Sequence, residues 1–319
     1  TRCARVTGVQ TCALPIYMET YILQIFNGIS VSSIFILAAL GLAITFGLMK
    51  IINMAHGEFI MIGAYTTYLI QNLFSDYLPE SVFDVYYFVA IPCSFLVAGI
   101  IGYLLERTVI CHLYGRSLDS ILATWGVSLF LQQLARSIFG APNVDVKAPN
   151  ILNGSLVLFN MQFPYKRLFI IALVIFAIAC IYVLLFKTHY GRKIRAVMQN
   201  RTMAASLGIN TRCIDAYTFA FGSGIAGIAG TALSLLGSIG PTLGTNYIVD
   251  TFMVVVLGGV GTLIGTISGG FIIGMSNTTF EFFTDASLGK VIVFTLVILF
   301  LQWRPKGLFS IKSRALDED

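Results

Sequence analysis

The stretch Lys187-Thr-His-Tyr-Gly-Arg192-Lys193-Ile194-Arg195-Ala-Val197-Met198-Gln-Asn200-Arg201-Thr-Met203-Ala204-Ala205-Ser-Leu207-Gly208-Ile-Asn-Thr-Arg212 holds six basic residues and no Asp or Glu. It lies between two long apolar runs. Such an excess of Lys and Arg marks a loop on the cytoplasmic side of a membrane. Ile194, Val197, Met198, Arg201 and Ala205 recur at helical spacing, so Ile194 to Leu207 reads as one short amphipathic helix. Gly208 is placed to end it. The segment is either a docking element for a soluble partner or a loop that only sets topology.

The runs on either side decide the class. Hydrophobic residues make up 57% of the chain and charged residues 11%. A soluble globular chain carries roughly 25% charge. Tyr21 to Met49, Tyr86 to Leu105, Leu168 to Phe186 and Val291 to Trp303 carry no charge at all. Each approaches or exceeds the length that crosses a hydrocarbon core of about 30 Å. The fold class expected is all-α, a polytopic transmembrane helical bundle of about eight spans. Alternation of a barrel type is missing. The net charge of +5 sits in the presumed inner loops and reports topology, with no nucleic-acid partner implied.

The six cysteines include no CxxC and no Cys/His spacing suited to a metal, so neither a disulfide framework nor a metal site is expected. The run Arg5 to Ile16 resembles translated sequencing-adapter DNA. Residues 1–17 are therefore read as a non-native extension, Cys3 and Cys12 included, or alternatively as a genuine short one. Residues 18–319 are read as a single transmembrane domain with its inner loop at 187–213.

The last third holds about half of the chain's 30 glycines. If 214–236 runs outward and 288–303 runs inward, the segment 247–275 must enter and leave from the same side. A re-entrant or paired short-helix element with glycines at the bend satisfies this. Irregular backbone at membrane depth survives only where it is buried in protein or lines a cavity, so 247–275 becomes a candidate wall of a path. The alternative is one straight span. Gly261, Gly265 and Gly269 fall four residues apart, as small residues do where helices approach closely.

Polar residues within spans mark candidate path sites. Asn53, His56 and Glu58 lie between the first two spans and read equally as a capping cluster. Thr124, Trp125 and Gln132 form a second group; Trp125, Ser128 or Leu129, and Gln132 are expected on one inward face. Asn246 and Asp250 flank the broken segment and form a third. No GxxxxGK[ST], HExxH or Ser/His/Asp set is found, which disfavours an enzyme with its own ATP site or hydrolytic centre.

The run Gly41-Leu-Ala-Ile-Thr-Phe-Gly-Leu-Met-Lys-Ile-Ile-Asn53-Met-Ala-His56-Gly57-Glu58-Phe-Ile-Met-Ile-Gly63-Ala-Tyr65 resembles the signature of branched-chain amino-acid-type ABC-transporter permeases. Arg195 to Ile209 resembles the segment by which those permeases contact their ATPases. Arg195, Asn200, Ala204, Ala205 and Gly208 match that segment, while Met203 stands where other importers often have Glu. Leu122 to Gln133, Asn246 to Gly261 and Gln302 to Phe309 are similar to urea-transporter permeases within the family. The resemblance implies a multi-pass protein of the bacterial inner membrane that imports urea. It also implies a second homologous permease, two cytoplasmic ATPases, a periplasmic binding protein and no cofactor. Branched-chain amino acids or short amides are the alternative substrates, and an ATPase-independent channel or carrier is the alternative class. A zwitterion needs a partner for each charge, whereas a neutral amide needs only hydrogen-bonding groups.

Overall fold

A computed structural model describes residues 4–49, 52–77, 79, 83–114, 116–158 and 161–309. Eleven helices are present among them: α1 (Ala4–Met49), α2 (His56–Tyr77), α3 (Tyr86–Thr108), α4 (Ser117–Phe139), α5 (Tyr165–Lys187), α6 (His189–Gln199), α7 (Arg201–Ser206), α8 (Thr211–Leu233), α9 (Leu243–Gly258), α10 (Leu263–Phe283) and α11 (Ala286–Trp303). A two-stranded antiparallel hairpin, β1 (Ser155–Leu158) and β2 (Met161–Pro164), pairs Ser155 with Pro164. The chain is an all-α polytopic membrane protein. Five segments are long and apolar enough to cross a membrane: Thr20–Met49, Tyr86–His112, Tyr165–Lys187, Thr211–Leu233 and Ala286–Trp303. Helices α2, α4 and α10 have the length at about 1.5 Å per residue, but carry more polar residues.

The uncharged first span is the central post, and most of Thr20–Met49 is buried. Its small and branched side chains, Leu37, Ala38, Ala39 and Leu40, are fully enclosed by neighbours. Glycines set how closely those neighbours come. An added Cβ at Gly63 of α2 would lie 2.5 Å from the Gly227 Cα of α8. One at Gly227 would lie 2.6 Å from the Ser94 carbonyl oxygen of α3. Without a lipid-phase hydrophobic drive, such close van der Waals packing holds helices together.

The expected break in the last third is a helical hairpin. Helix α9 ends at Gly258, and Gly259 (φ 102°) and Gly261 (φ 77°) turn the chain into α10. Both angles are in the left-handed region that side chains disfavour. The carbonyls at the end of α9, which a helix leaves unpaired, accept from the C-terminal segment: Leu308 N–H to the Leu257 oxygen at 2.9 Å, Phe309 N–H to that of Gly258 at 3.1 Å. Gly265 and Gly269 lie against the backbone of α9, while Gly270 and Gly274 meet α1 at Ile36 and Ser32. Gly261 does not share their helix face, because it belongs to the turn. The turn lies beside Gly47 at the inner end of α1, whose added Cβ would also meet Met198 of α6. The bend of the hairpin therefore lies at the end of the bundle where α6 packs, and its far end, at Thr278, lies against Gln24 near the other end of the Thr20–Met49 span.

The outer segments are tied down by polar contacts. Lys147 N–H donates to Gln71 Oε1 at 2.7 Å, Asn150 N–H to Asp84 Oδ1 at 2.7 Å, and Tyr86 Oη donates to the Lys147 carbonyl. Val144 and Ile239 exchange backbone bonds of 2.8 Å in both directions. The free cysteines among the described residues are Cys93, Cys111, Cys180 and Cys213.

Candidate functional site

Helix α4 presents Ser120, Thr124, Ser128 and Gln132 every four residues, and all four side chains are buried. That spacing forms one polar stripe on a helix, and here it faces α2. Glu58, buried on the first turn of α2, accepts at Oε1 from Ser128 Oγ (2.8 Å) and Gln132 Nε2 (2.9 Å). Gln132 Nε2 also lies 3.0 Å from Thr245 Oγ1 of α9 and 3.2 Å from Ser128 Oγ. An amide nitrogen has only two hydrogens, so these acceptors compete and the group has more than one bonding pattern. Glu58 Oε2 is buried without a hydrogen-bond partner among the described residues. An unsatisfied buried oxygen is costly, and an acceptor of this kind suits an N–H donor brought by a solute.

Above this group the chain between α1 and α2 is fixed by its own polar atoms. Asn53 Oδ1 accepts from the Ala55 N–H at 3.0 Å, and the Met54 N–H donates to Thr124 Oγ1 at 3.2 Å. Asn53 thereby caps the turn into α2, while its Nδ2 stays buried without a partner among the described residues. His56 faces the opposite way from Glu58, since two residues turn a helix by about 200°. Its Nε2 lies 3.2 Å from the Ala38 carbonyl of α1. That contact requires the proton on Nε2 and leaves Nδ1 as a buried acceptor without a partner among the described residues.

The sequence-derived candidates therefore do not gather at one point. Glu58, Thr124 and Gln132 share the α2–α4 seam, and His56 belongs to the α1–α2 contact. Trp125 does not share the inward face of Gln132; it is 54% exposed on the outer side of α4 with Leu122 and Leu129. Asn246 is exposed. Asp250 pairs with Lys290 of α11 at 3.3 Å, on another side of α9. Ser120, Thr245 and Lys290 were missed as sequence candidates. The four-residue rhythm of α4 was a readable signal for Ser120, but a lone Thr245 or Lys290 carries none.

The inner loop also departs from a single helix. It folds as α6 and α7, broken at Asn200, whose extended backbone (φ −154°) stops α6 while its Oδ1 caps α7 through the Met203 N–H at 3.0 Å. Thr188 caps α6 through the Gly191 N–H at 3.0 Å. Ile194, Val197 and Ala204 turn inward, whereas Arg195, Asn200 and Ala205 are exposed. Gly208 (φ 82°) ends α7, where the Ile209 N–H returns to the Ala204 carbonyl at 3.1 Å. Arg201 ion-pairs with the buried Asp215 of α8 and lies 4.7 Å over the ring of Tyr114. Tyr114 Oη donates to Glu106 Oε1 at 3.1 Å. Burial, and then the charges of Asp215 and Glu106, push the Tyr114 phenol far up, which keeps this donor protonated.

Comparison with known proteins places these features in company. A family model described as "Branched-chain amino acid transport system / permease component" matches residues 24–301. The high-affinity branched-chain amino acid transport system permease protein BraD of Pseudomonas aeruginosa is 28% identical over 297 residues, covering 91% of this chain and 96% of its own. The probable branched-chain amino acid transport permease protein LivH of Methanocaldococcus jannaschii is 25% identical, covering 89% and 91%. The permease protein LivM of the high-affinity branched-chain amino acid transport system of Escherichia coli K12 is 25% identical, covering 88% of this chain and 68% of its own. No solved structure matches.

Proposed function

The chain belongs to the branched-chain amino acid transport system permease family, and from that premise we propose that it is the inner-membrane subunit of an ATP-driven importer. The observation that carries this reading is the α6–α7 pair. Met203 and Leu207 are 60% and 75% exposed at the inner end of the bundle, outside the spans, on a short element capped at both ends. Apolar side chains held rigidly in water at such a place suit the docking of a soluble ATPase. Two ATPases, a second related permease and an external binding protein complete the assembly in this reading. Closure of the ATPases biases a bundle with two arrangements, and access switches from one side to the other.

For the substrate, the names of the relatives favour a branched-chain amino acid ahead of urea. Urea keeps a second place through one observation. Glu58, Ser128, Gln132 and Thr245 offer amide, hydroxyl and carboxyl groups, and among the described residues no Lys or Arg is bonded to them. This suits a small neutral amide, whereas a zwitterion's carboxylate needs a cation.

The test is uptake of labelled leucine and labelled urea by cells expressing the complete operon, beside an ATPase-dead control. Leucine uptake that requires the ATPase is the expected result. ATPase-dependent urea uptake indifferent to leucine would transfer the substrate to urea. Uptake that survives the dead ATPase would overturn the importer reading.

A further inference from the structure

Resting on the importer reading, we propose that Arg201, Asp215, Tyr114 and Glu106 form a latch that makes α7 move as one body with α3 and α8, so that a push on α7 reaches the path. Arg201 opens α7 and is the cation of the group. Its partner Asp215 is fully buried on the first turns of α8, and Glu106 is 2% exposed at the inner end of α3. Tyr114, in the connection between α3 and α4, touches both sides: its ring lies under the guanidinium and its hydroxyl holds Glu106.

The charge count explains why the latch holds. Two enclosed acids lie beside Arg201, and one oxygen of each, Asp215 Oδ1 and Glu106 Oε2, has no hydrogen-bond partner among the described residues. Withdrawing Arg201 would leave the buried Asp215 with no ion-pair partner and Glu106 with only the exposed Arg107 nearby, which is unfavourable. Helix α7 cannot peel away under load without that penalty. A second tie runs beside it: Tyr190 of α6 donates to the Ile214 carbonyl of α8 at 3.4 Å.

Helix α8 then carries displacement inward. Its Gly222 lies against the α1 backbone at Gly41, and its Gly227 against α2 at Gly63, little more than one turn beyond Glu58. Tight backbone contacts of this kind pass a shift on with little slack. Arg201 is thus a positioning residue, acting on the path through α8.

The test measures transported substrate per ATP hydrolysed, using the complete assembly in proteoliposomes with its binding protein. Arg201→Ala should co-purify with the ATPases and hydrolyse ATP, yet lose roughly fivefold or more in this ratio. Arg201→Lys should fall between, because lysine keeps the charge but not the planar stacking. Tyr114→Leu leaves the ion pair in place and removes both the ring under Arg201 and the hydroxyl that holds Glu106, so it carries the test should Arg201→Ala insert poorly; its ratio should also drop. An unchanged ratio in Tyr114→Leu and Arg201→Ala overturns the latch. Loss of ATPase association in Arg201→Ala overturns it too, since Arg201 would then be a direct ATPase contact. If the wild-type assembly itself shows no ATP-dependent transport, the importer reading fails first and the latch with it, a result separable from the other two.

Discussion

Gly227→Val is expected to remove folded permease from the membrane, and Gly126→Val to leave it in place. A Cβ at Gly227 would lie 2.6 Å from the Ser94 carbonyl oxygen and 2.7 Å from the Ala98 Cβ, both on α3. On its other side the Gly227 backbone already touches α2 at Gly63. Helix α8 is therefore held between α2 and α3 with no free direction, and valine adds two methyl groups beyond the Cβ. Overpacking alone costs about 1–3 kcal/mol or more, and here two helix backbones must separate. Hydrogen bonds depend on that same spacing: Thr231 Oγ1 donates to Ser94 Oγ at 2.7 Å, and Thr67 Oγ1 donates to Thr231 at 3.0 Å. Separation would leave buried hydroxyls unpaired. Gly126 is the control, since a Cβ there meets nothing within 4 Å. Size-exclusion chromatography of the detergent-extracted protein measures the outcome. A drop of roughly tenfold in the monodisperse peak of Gly227→Val is expected from these costs. A normal peak would mean that the α2–α8–α3 contact is looser than described.

Gly227 also shows what the sequence could and could not say. The spans were legible because uncharged runs of about 20 residues have few uses other than crossing a membrane. The paired element after α8 was legible because the span count put both its ends on one side and glycines marked a bend. Which glycine would turn and which would pack was not legible: Gly261, Gly265 and Gly269 have identical spacing, yet only the last two lie within α10. The break at Asn200 was hidden because the helical spacing continues across it through Val197, Met198, Arg201 and Ala205. A cap interrupts backbone bonds without disturbing the side-chain pattern. The polar candidates were legible one by one and not as a group. His56 and Glu58 are neighbours in sequence but face different helices. The partners that organise them, Ala38, Ser128, Thr245 and Lys290, come from distant parts of the chain, and only packing brings them near.

Glu58→Ala is expected to cut transport by roughly 5- to 150-fold while the protein still folds and assembles, because leaving a buried polar group unpaired costs about 1–3 kcal/mol and each 1.36 kcal/mol is tenfold in rate. Glu58 Oε1 is the common acceptor for Ser128 and Gln132, and it joins α2 to α4. With alanine there, Gln132 retains Thr245 and Ser128 as acceptors within 3.2 Å, so the helix seam need not open. What disappears is the buried Oε2, the acceptor left free for a passing N–H donor. Glu58→Gln separates the two roles. Glutamine keeps a carbonyl oxygen for Ser128 and Gln132 but replaces the free acceptor with an NH2 donor. If Oε2 meets the solute, Glu58→Gln should transport nearly as poorly as Glu58→Ala despite normal yield and basal ATP hydrolysis. If Glu58 serves only to hold α4, Glu58→Gln should transport at the wild-type rate. Uptake in proteoliposomes, normalised to assembled complex, decides between them. A Glu58→Ala protein that transports normally would remove the α2–α4 seam from the path altogether, and would shift attention to the α9–α11 side, where Asp250 and Lys290 pair.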